Sequence, residues 1–160
     1  MIRIEILCVG KMKDGYFKAA QKEYLKRLSA FGKVDVVEIP DAPIPDHASE
    51  KECIEILRKE GEKLLAGMKK DTYFILLDVK GKDMDSVEFS ETIKSLMVSG
   101  QSHLTFAIGG SLGVSQEVRN KAHLRLSLSS MTFTHNMTRV ILLEQVYRAF
   151  SIINNRTYHK

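Results

Sequence analysis

The last helix-forming stretch is the strongest constraint on how this chain can fold. Residues 137–153 run Met-Thr-Arg-Val-Ile-Leu-Leu-Glu-Gln-Val-Tyr-Arg-Ala-Phe-Ser-Ile-Ile. The apolar positions Val140, Ile141, Leu142, Leu143, Val146, Tyr147 and Phe150 do not keep to one stripe. A helix that is apolar most of the way round is covered on several sides. It nevertheless carries Arg139, Glu144 and Arg148, and charged residues are rarely fully buried without partners. The segment that feeds it, Ser127 to His135, holds three serines, two threonines and one histidine. A deeply covered helix with small polar residues gathered at its mouth points to a site and to a subunit interface.

Something must cover that helix, and the preceding residues supply it. Ile2 to Val9 starts with alternation at Ile2, Ile4 and Ile6 and then becomes continuously apolar, the pattern of a strand entering a two-sided core. Gly15 to Phe31 reads as a helix, with Phe17, Ala20, Tyr24, Leu28 and Phe31 at spacings of three and four. Lys18, Lys22 and Lys26 line its other side as a solvated face. Val34 to Ile39 is rich in β-branched residues and predicts a second strand. Pro40, Pro43 and Pro45 exclude a helix interior in the loop that follows. Ser49 with Glu52, and Asp85 with Glu88, are capping boxes that open helices to about Ala66 and Ser99. Between them lies a third strand, Tyr73 to Leu77, followed by Asp78 and a turn at Gly81. Leu104 to Ile108 and Leu124 to Leu128 are strands four and five, separated by a short helix from Val114 to Ala122.

Strands alternating with helices predict a single α/β domain over residues 1–160, with a mainly parallel five-stranded sheet and helices on both faces. A chain of this length buries roughly 70% of its unfolded surface, so it needs no staples. Cys8 and Cys53 lack any CxxC partner and read as buried reduced thiols. No apolar run approaches the ~20 residues that span a bilayer, and no basic segment followed by a long apolar one opens the chain. Cytoplasmic location is the expectation. The formal charge of +4 permits a polyanionic partner without demanding one.

In open parallel sheets, ligands sit outside the carboxyl ends of the strands. Three segments share that position: Leu77-Asp78, Gly109 to Gly113, and Leu128 to Phe133. Glycines admit a ligand close to the backbone, and small hydroxyl residues offer donors and acceptors without filling the space. Together they can hold a nucleoside-sized ligand through main-chain groups. The Gly109-Gly110-x-x-Gly113 run has neither the dinucleotide nor the phosphate-loop spacing. His47, His103, His123, His135 and His159 do not make a metal site. Ser111 lacks the surround of a hydrolase nucleophile. His135 and Arg139 are four apart at the start of the last helix, as are Glu144 and Arg148 further on. The second pair reads as an ion pair.

The glycine run, Leu-Ser-Leu-Ser-Ser-Met-Thr-Phe-x-His, Arg-Val-x-Leu-x-Glu-Gln-x-Tyr-Arg-Ala and the closing Tyr-His-Lys together resemble the RlmH (YbeA) family. Gly10-Lys11 and Lys59-Glu60-Gly61 fit as well, and the resemblance runs the whole length of the chain. That family belongs to the SPOUT class of S-adenosylmethionine-dependent methyltransferases. The resemblance implies a trefoil knot in the C-terminal part, a homodimer, and methylation of N3 of a pseudouridine in a 23S rRNA hairpin loop facing the decoding centre. It implies cofactor contacts from Leu77, Gly109, Leu128, Ser129, Ser130, Met131, Thr132 and Phe133. Thr134 stands where relatives usually carry proline.

A sulfonium methyl donor is already electrophilic, so no metal is required. The acceptor is an imide nitrogen that must lose its proton, and its flanking carbonyls gather negative charge. A cation beside them stabilises that charge, and Arg139 is the first candidate, with His135 assisting. A histidine suits the role of proton acceptor, and both His135 and His159 qualify. The end of the chain, with Arg156, Tyr158, His159 and Lys160, is expected to order on RNA and in a dimer to complete the other subunit's pocket. Lys11, Lys13, Arg139, Arg156 and Lys160 are candidate phosphate contacts, and Tyr16 or Tyr158 a base-stacking surface. The alternatives are a non-catalytic ribosome-binding factor with the same fold and a flavodoxin-like nucleotide enzyme.

Overall fold

The computed structural model describes residues 1–160. Five parallel strands form one sheet in the order β2-β1-β4-β3-β5. They are β1 (Ile2–Val9), β2 (Gly32–Ile39), β3 (Tyr73–Asp83), β4 (His103–Ile108) and β5 (Leu124–Ser127). Helices α1 (Gly15–Leu28), α2 (Glu50–Ala66), α3 (Ser86–Val98) and α4 (Gln116–Lys121) connect them, and α5 (His135–Ile153) follows the last strand. Parallel pairing of each neighbouring pair of strands agrees with the alternation of elements in the sequence.

Strand β1 lies inside the sheet, between β2 and β4, and is buried on both faces, which is why its sequence loses alternation. Ile4, Ile6 and Cys8 point into a large core shared with α1, α3 and α5. Leu7 and Val9 point the other way, into a smaller core with Leu64 of α2 and Val118 of α4. Helix α5 supplies Leu142, Leu143, Val146, Ala149 and Phe150 to the larger core, and Phe31 stacks on Phe150 at 5.6 Å. Burying each of these large apolar side chains contributes roughly 1.5–3 kcal/mol. Between α1 and α3, α5 has helices on both flanks and the sheet beneath it. This is the several-sided burial that its composition demanded.

Both capping boxes form: the Ser49 hydroxyl accepts from Glu52 N–H at 3.1 Å, and the Asp85 carboxylate from Glu88 N–H at 2.8 Å. Helix α5 begins two residues earlier than the apolar pattern suggests. Thr134 is its N-cap, accepting from Met137 N–H at 3.4 Å. A proline there has no side-chain oxygen to do this, so the threonine gives this chain a cap of its own. Helix α1 ends at Leu28 rather than Phe31, and β2 starts at Gly32 rather than Val34. The lysine row of α1 is exposed, as a solvated face should be.

Strand β3 departs most from expectation. It does not end at Leu77 but continues to Asp83 through a bulge. Leu77 and Lys82 both stand opposite Leu126 of β5, so residues 78–81 loop out between two ladder segments. Gly81 closes the bulge against β5: a Cβ there would lie 2.6 Å from the Arg125 carbonyl oxygen and 2.9 Å from that of Asp78. Gly81→Ala is expected to destabilise the protein by about 1–3 kcal/mol, read as a lower urea midpoint at unchanged slope. A midpoint equal to wild type would show that the bulge is not clamped.

Candidate active site

At the carboxyl edge of β3, β4 and β5 lies a cavity of about 940 Å³. The three segments chosen from strand order meet there. Leu77 and Asp78, Gly109 to Gly113 with the exception of Leu112, and Leu128, Ser129, Met131, Thr132 and Phe133 all line it. Ser130 does not line it. Leu77, Ile108, Leu126 and Leu128 give the cavity an apolar floor, and its walls combine glycines and small hydroxyls with the charged Asp78, Lys80, Arg119 and Arg125. Gly109 is needed for its smallness. A Cβ would meet the Gly113 carbonyl oxygen at 2.6 Å and Val114 Cγ1 at 2.7 Å, so the loop could not fold back on itself. The loop then enters α4, whose N-cap Ser115 accepts from Val118 N–H at 3.3 Å. Behind it the nearly buried Glu60 accepts from Ala42 N–H at 2.9 Å, and a Cβ on Gly110 would sit 3.4 Å from Glu60 Oε1.

His135 and Thr138 reach the cavity from the first turn of α5. Arg139 does not. Its side chain is buried, with 1% of the residue exposed, and it does not line the cavity. Nη1 donates to Glu38 Oε2 at 3.0 Å and Gln21 Oε1 at 3.2 Å, and Nη2 lies 3.5 Å from the Gly10 carbonyl oxygen. Nε has no partner. Glu38 also accepts from Met12 N–H at 2.8 Å. Burial pushes the Glu38 carboxyl up, but the Met12 N–H and the Arg139 guanidinium outweigh it and hold it below the usual carboxylate range. Burial likewise pushes the neighbouring Cys8 thiol up to about 11, against the pull of Arg139. One turn below His135, Arg139 therefore ties α5 to the ends of β1 and β2.

A family model described as "Predicted SPOUT methyltransferase" matches residues 2–159. The chain belongs to the SPOUT methyltransferase family. Proteins named ribosomal RNA large subunit methyltransferase H are similar along the full length. The one from Clostridium novyi (strain NT) is 50% identical over 159 residues, covering 99% of this chain and 100% of the relative. The one from Desulforamulus reducens is 45% identical over 160 residues, with both chains fully covered. A solved structure, a probable methylase family protein from Haemophilus influenzae Rd KW20, aligns at a TM-score of 0.54 and 12% identity. It covers 98% of this chain and 70% of its own, a likeness of fold. The expected resemblance is thereby borne out at the level of the family.

In this SPOUT methyltransferase the chain's end is already folded. Arg156 N–H donates to the Ser151 carbonyl at 2.8 Å, and the Arg156 guanidinium lies 4.8 Å from the Phe31 ring centroid. Tyr158 Oη donates to Glu144 Oε1 at 3.2 Å, and its ring packs edge-on to Tyr147 at 4.8 Å. His159 Nδ1 lies 3.2 Å from Arg148 Nη1. The expected Glu144–Arg148 pair forms, with Nε to Oε1 at 3.0 Å. Burial, reinforced by Glu144, pushes the Tyr158 hydroxyl up to about 12, so it remains a donor. Tyr158 and His159 thus sit on the flank of α5 and do not line the cavity of their own subunit. No group of three or more His, Cys, Asp or Glu side chains converges anywhere in a metal-holding arrangement, and no helix is long and apolar enough to cross a membrane.

Sequence reasoning missed Lys80, Arg119 and Arg125, which all line the cavity. Only the bulge in β3 brings Lys80 and Arg125 together, and nothing in the residue pattern announces a bulge. Glu38→Gln is expected to lower stability by about 1 kcal/mol at neutral pH, because Arg139 keeps a neutral acceptor but loses a charge partner that solvent, at 39% exposure of the Glu38 side chain, already screens in part. The wild-type contribution is complete above the ordinary carboxylate range and drains away as pH falls through the lowered Glu38 pKa. Urea titrations of both proteins should therefore converge in acid. Parallel curves across pH would remove the ion pair from the account.

Proposed function

We propose that this chain is an S-adenosylmethionine-dependent rRNA methyltransferase acting on N3 of a pseudouridine in 23S rRNA, in the hairpin loop that faces the decoding centre. The observation that carries it is the convergence of Leu77, Gly109 and the 128–133 loop on one cavity. Its volume and its apolar floor suit a nucleoside-sized ligand. Gly109 leaves main chain open where a side chain would fill the space. Leu77, Gly109, Leu128, Ser129, Met131, Thr132 and Phe133 would hold the cofactor, with Ser130 supporting the turn. The cofactor supplies an electrophilic methyl on a sulfonium. The full-length relatives named for large-subunit rRNA methylation support the substrate class.

His135 is the residue of this chain placed to take the imide proton. It opens α5 at the cavity wall, where the helix start holds it. Its imidazole would accept the N3 proton, leaving the imide nitrogen's electron pair free for the methyl group, and would then pass that proton to water. Arg139, walled off behind it, acts by fixing the first turn of α5. The reading includes a cytoplasmic homodimer with a C-terminal trefoil knot, in which the folded tail of one subunit, with Tyr158 and His159, completes the other's cavity. That tail is anchored to α5 at Glu144 and Arg148, a rigid mount for such a role.

A second reading, a non-catalytic ribosome-binding factor of the same fold, draws on the placement of Arg139, Tyr158 and His159 outside the cavity. Mass spectrometry of rRNA from cells lacking the protein separates the two. Loss of the N3-methyl mark is expected, and its persistence would sink the enzyme reading. His135→Ala should bind S-adenosylmethionine normally by calorimetry and lose roughly 10²–10⁴ in kcat. Undiminished turnover would take His135 out of the mechanism.

A further inference from the structure

The β3 bulge sets a cation pair at the mouth of the cavity, and neither the cofactor contacts nor the proton transfer uses it. Asp78, whose side chain is 9% exposed, anchors the bulge: its Oδ1 accepts from Lys80 N–H at 3.0 Å. Its Oδ2 answers two guanidiniums at once, Arg119 Nε and Arg125 Nη1, each at 3.5 Å. Arg119 is further engaged with the Val114 carbonyl at 2.9 Å. Arg125 has no other side-chain partner, and about half of its side chain is exposed. Lys80, exposed on the bulge, has no carboxylate within salt-bridge distance. Gly81, pressed against the Arg125 backbone, keeps the two chain segments side by side. Two guanidiniums thus share one carboxylate, and the Lys80 side chain adds a third cation on the wall of the same cavity.

We infer that Lys80 and Arg125 form a subsite for a backbone phosphate of the substrate RNA at the mouth of the cavity, with Asp78 holding Arg125 in place. This rests on the methyltransferase reading above for the identity of the polyanion. Two exposed cations with only the shared Asp78 carboxylate beside them suit a phosphate, which takes point charges at fixed positions. Its place on the rim, above an apolar floor, lets a polynucleotide pass over the site while one base enters. The lysine row of α1 lies along a solvated helix with no such anchor.

The full-length Lys80→Gln/Arg125→Gln protein should bind large ribosomal subunits about tenfold more weakly than wild type at moderate salt, with the log–log salt slope reduced by roughly 0.7–1 per charge removed. Arg125→Lys should keep most of the slope, and Lys22→Gln on α1 all of it. Affinity for S-adenosylmethionine, measured by calorimetry, should stay within about twofold. An unchanged slope in the double variant would overturn the inference. So would an equal drop from Lys22→Gln, which would mean net charge alone, or a fall in cofactor affinity at unchanged RNA slope, which would assign the pair to the cofactor's carboxylate. Wild-type cofactor binding and turnover test the methyltransferase reading separately. A wild type that binds subunits without turnover would end that reading while the slope comparison still decides the phosphate contact.

Discussion

The buried guanidinium of Arg139 is the constraint on which the rest of the structure turns. A charged group taken out of water costs several kcal/mol unless partners replace the lost solvent. Here the partners come from Glu38 at the end of β2, Gln21 on α1 and the Gly10 carbonyl beyond β1. Helix α5 can enter its slot between α1 and α3 only in the position that brings these groups together. The apolar residues of α5 supply the driving force, which is non-directional. Arg139 supplies the direction. The same turn of helix carries His135 and Thr138 to the cavity, so the geometry of the site and the stability of the last helix are one problem.

The site itself is made mostly of backbone. Gly109 to Gly113 folds back tightly enough that a methyl group at Gly109 would strike the far side of the loop. The 127–133 segment holds itself with its own hydroxyls: Ser127 Oγ donates to the Ser129 carbonyl at 2.9 Å, and Ser129 Oγ accepts from Met131 N–H at 3.0 Å. Such loops present oriented N–H and C=O groups with few large side chains in the way, which suits recognition of a flat nucleoside. The cost is that the residues of such loops look unremarkable by type.

The chain's end obeys a different logic. Tyr158 and His159 could have been left to solvent, as terminal residues usually are. Instead Glu144 and Arg148, one turn apart on α5, receive both. The tail is thereby docked on α5 and displaced from its own cavity. The expectation that it orders on RNA stands beside a tail that in the free chain already contacts α5, through the Tyr158 hydrogen bond to Glu144 and the His159 contact with Arg148.

Much was legible in the residues alone. The continuous apolar run of β1, the two capping boxes, the proline-bearing loop and the all-round greasiness of α5 each determined a local structure, because period, capping and φ restriction act within a few residues. Strand alternation determined a parallel sheet, and position after strand ends determined which loops meet. Only the tertiary structure decided that Arg139 faces Glu38 rather than the cavity, since an i,i+4 relation to His135 does not say what each side chain meets. It alone decided the β3 bulge, which sets Lys80 beside Arg125, because a bulge is a compromise between two strands that neither sequence records by itself. Spacing along a chain encodes neighbours on one element; which element lies opposite is settled only when the whole core packs.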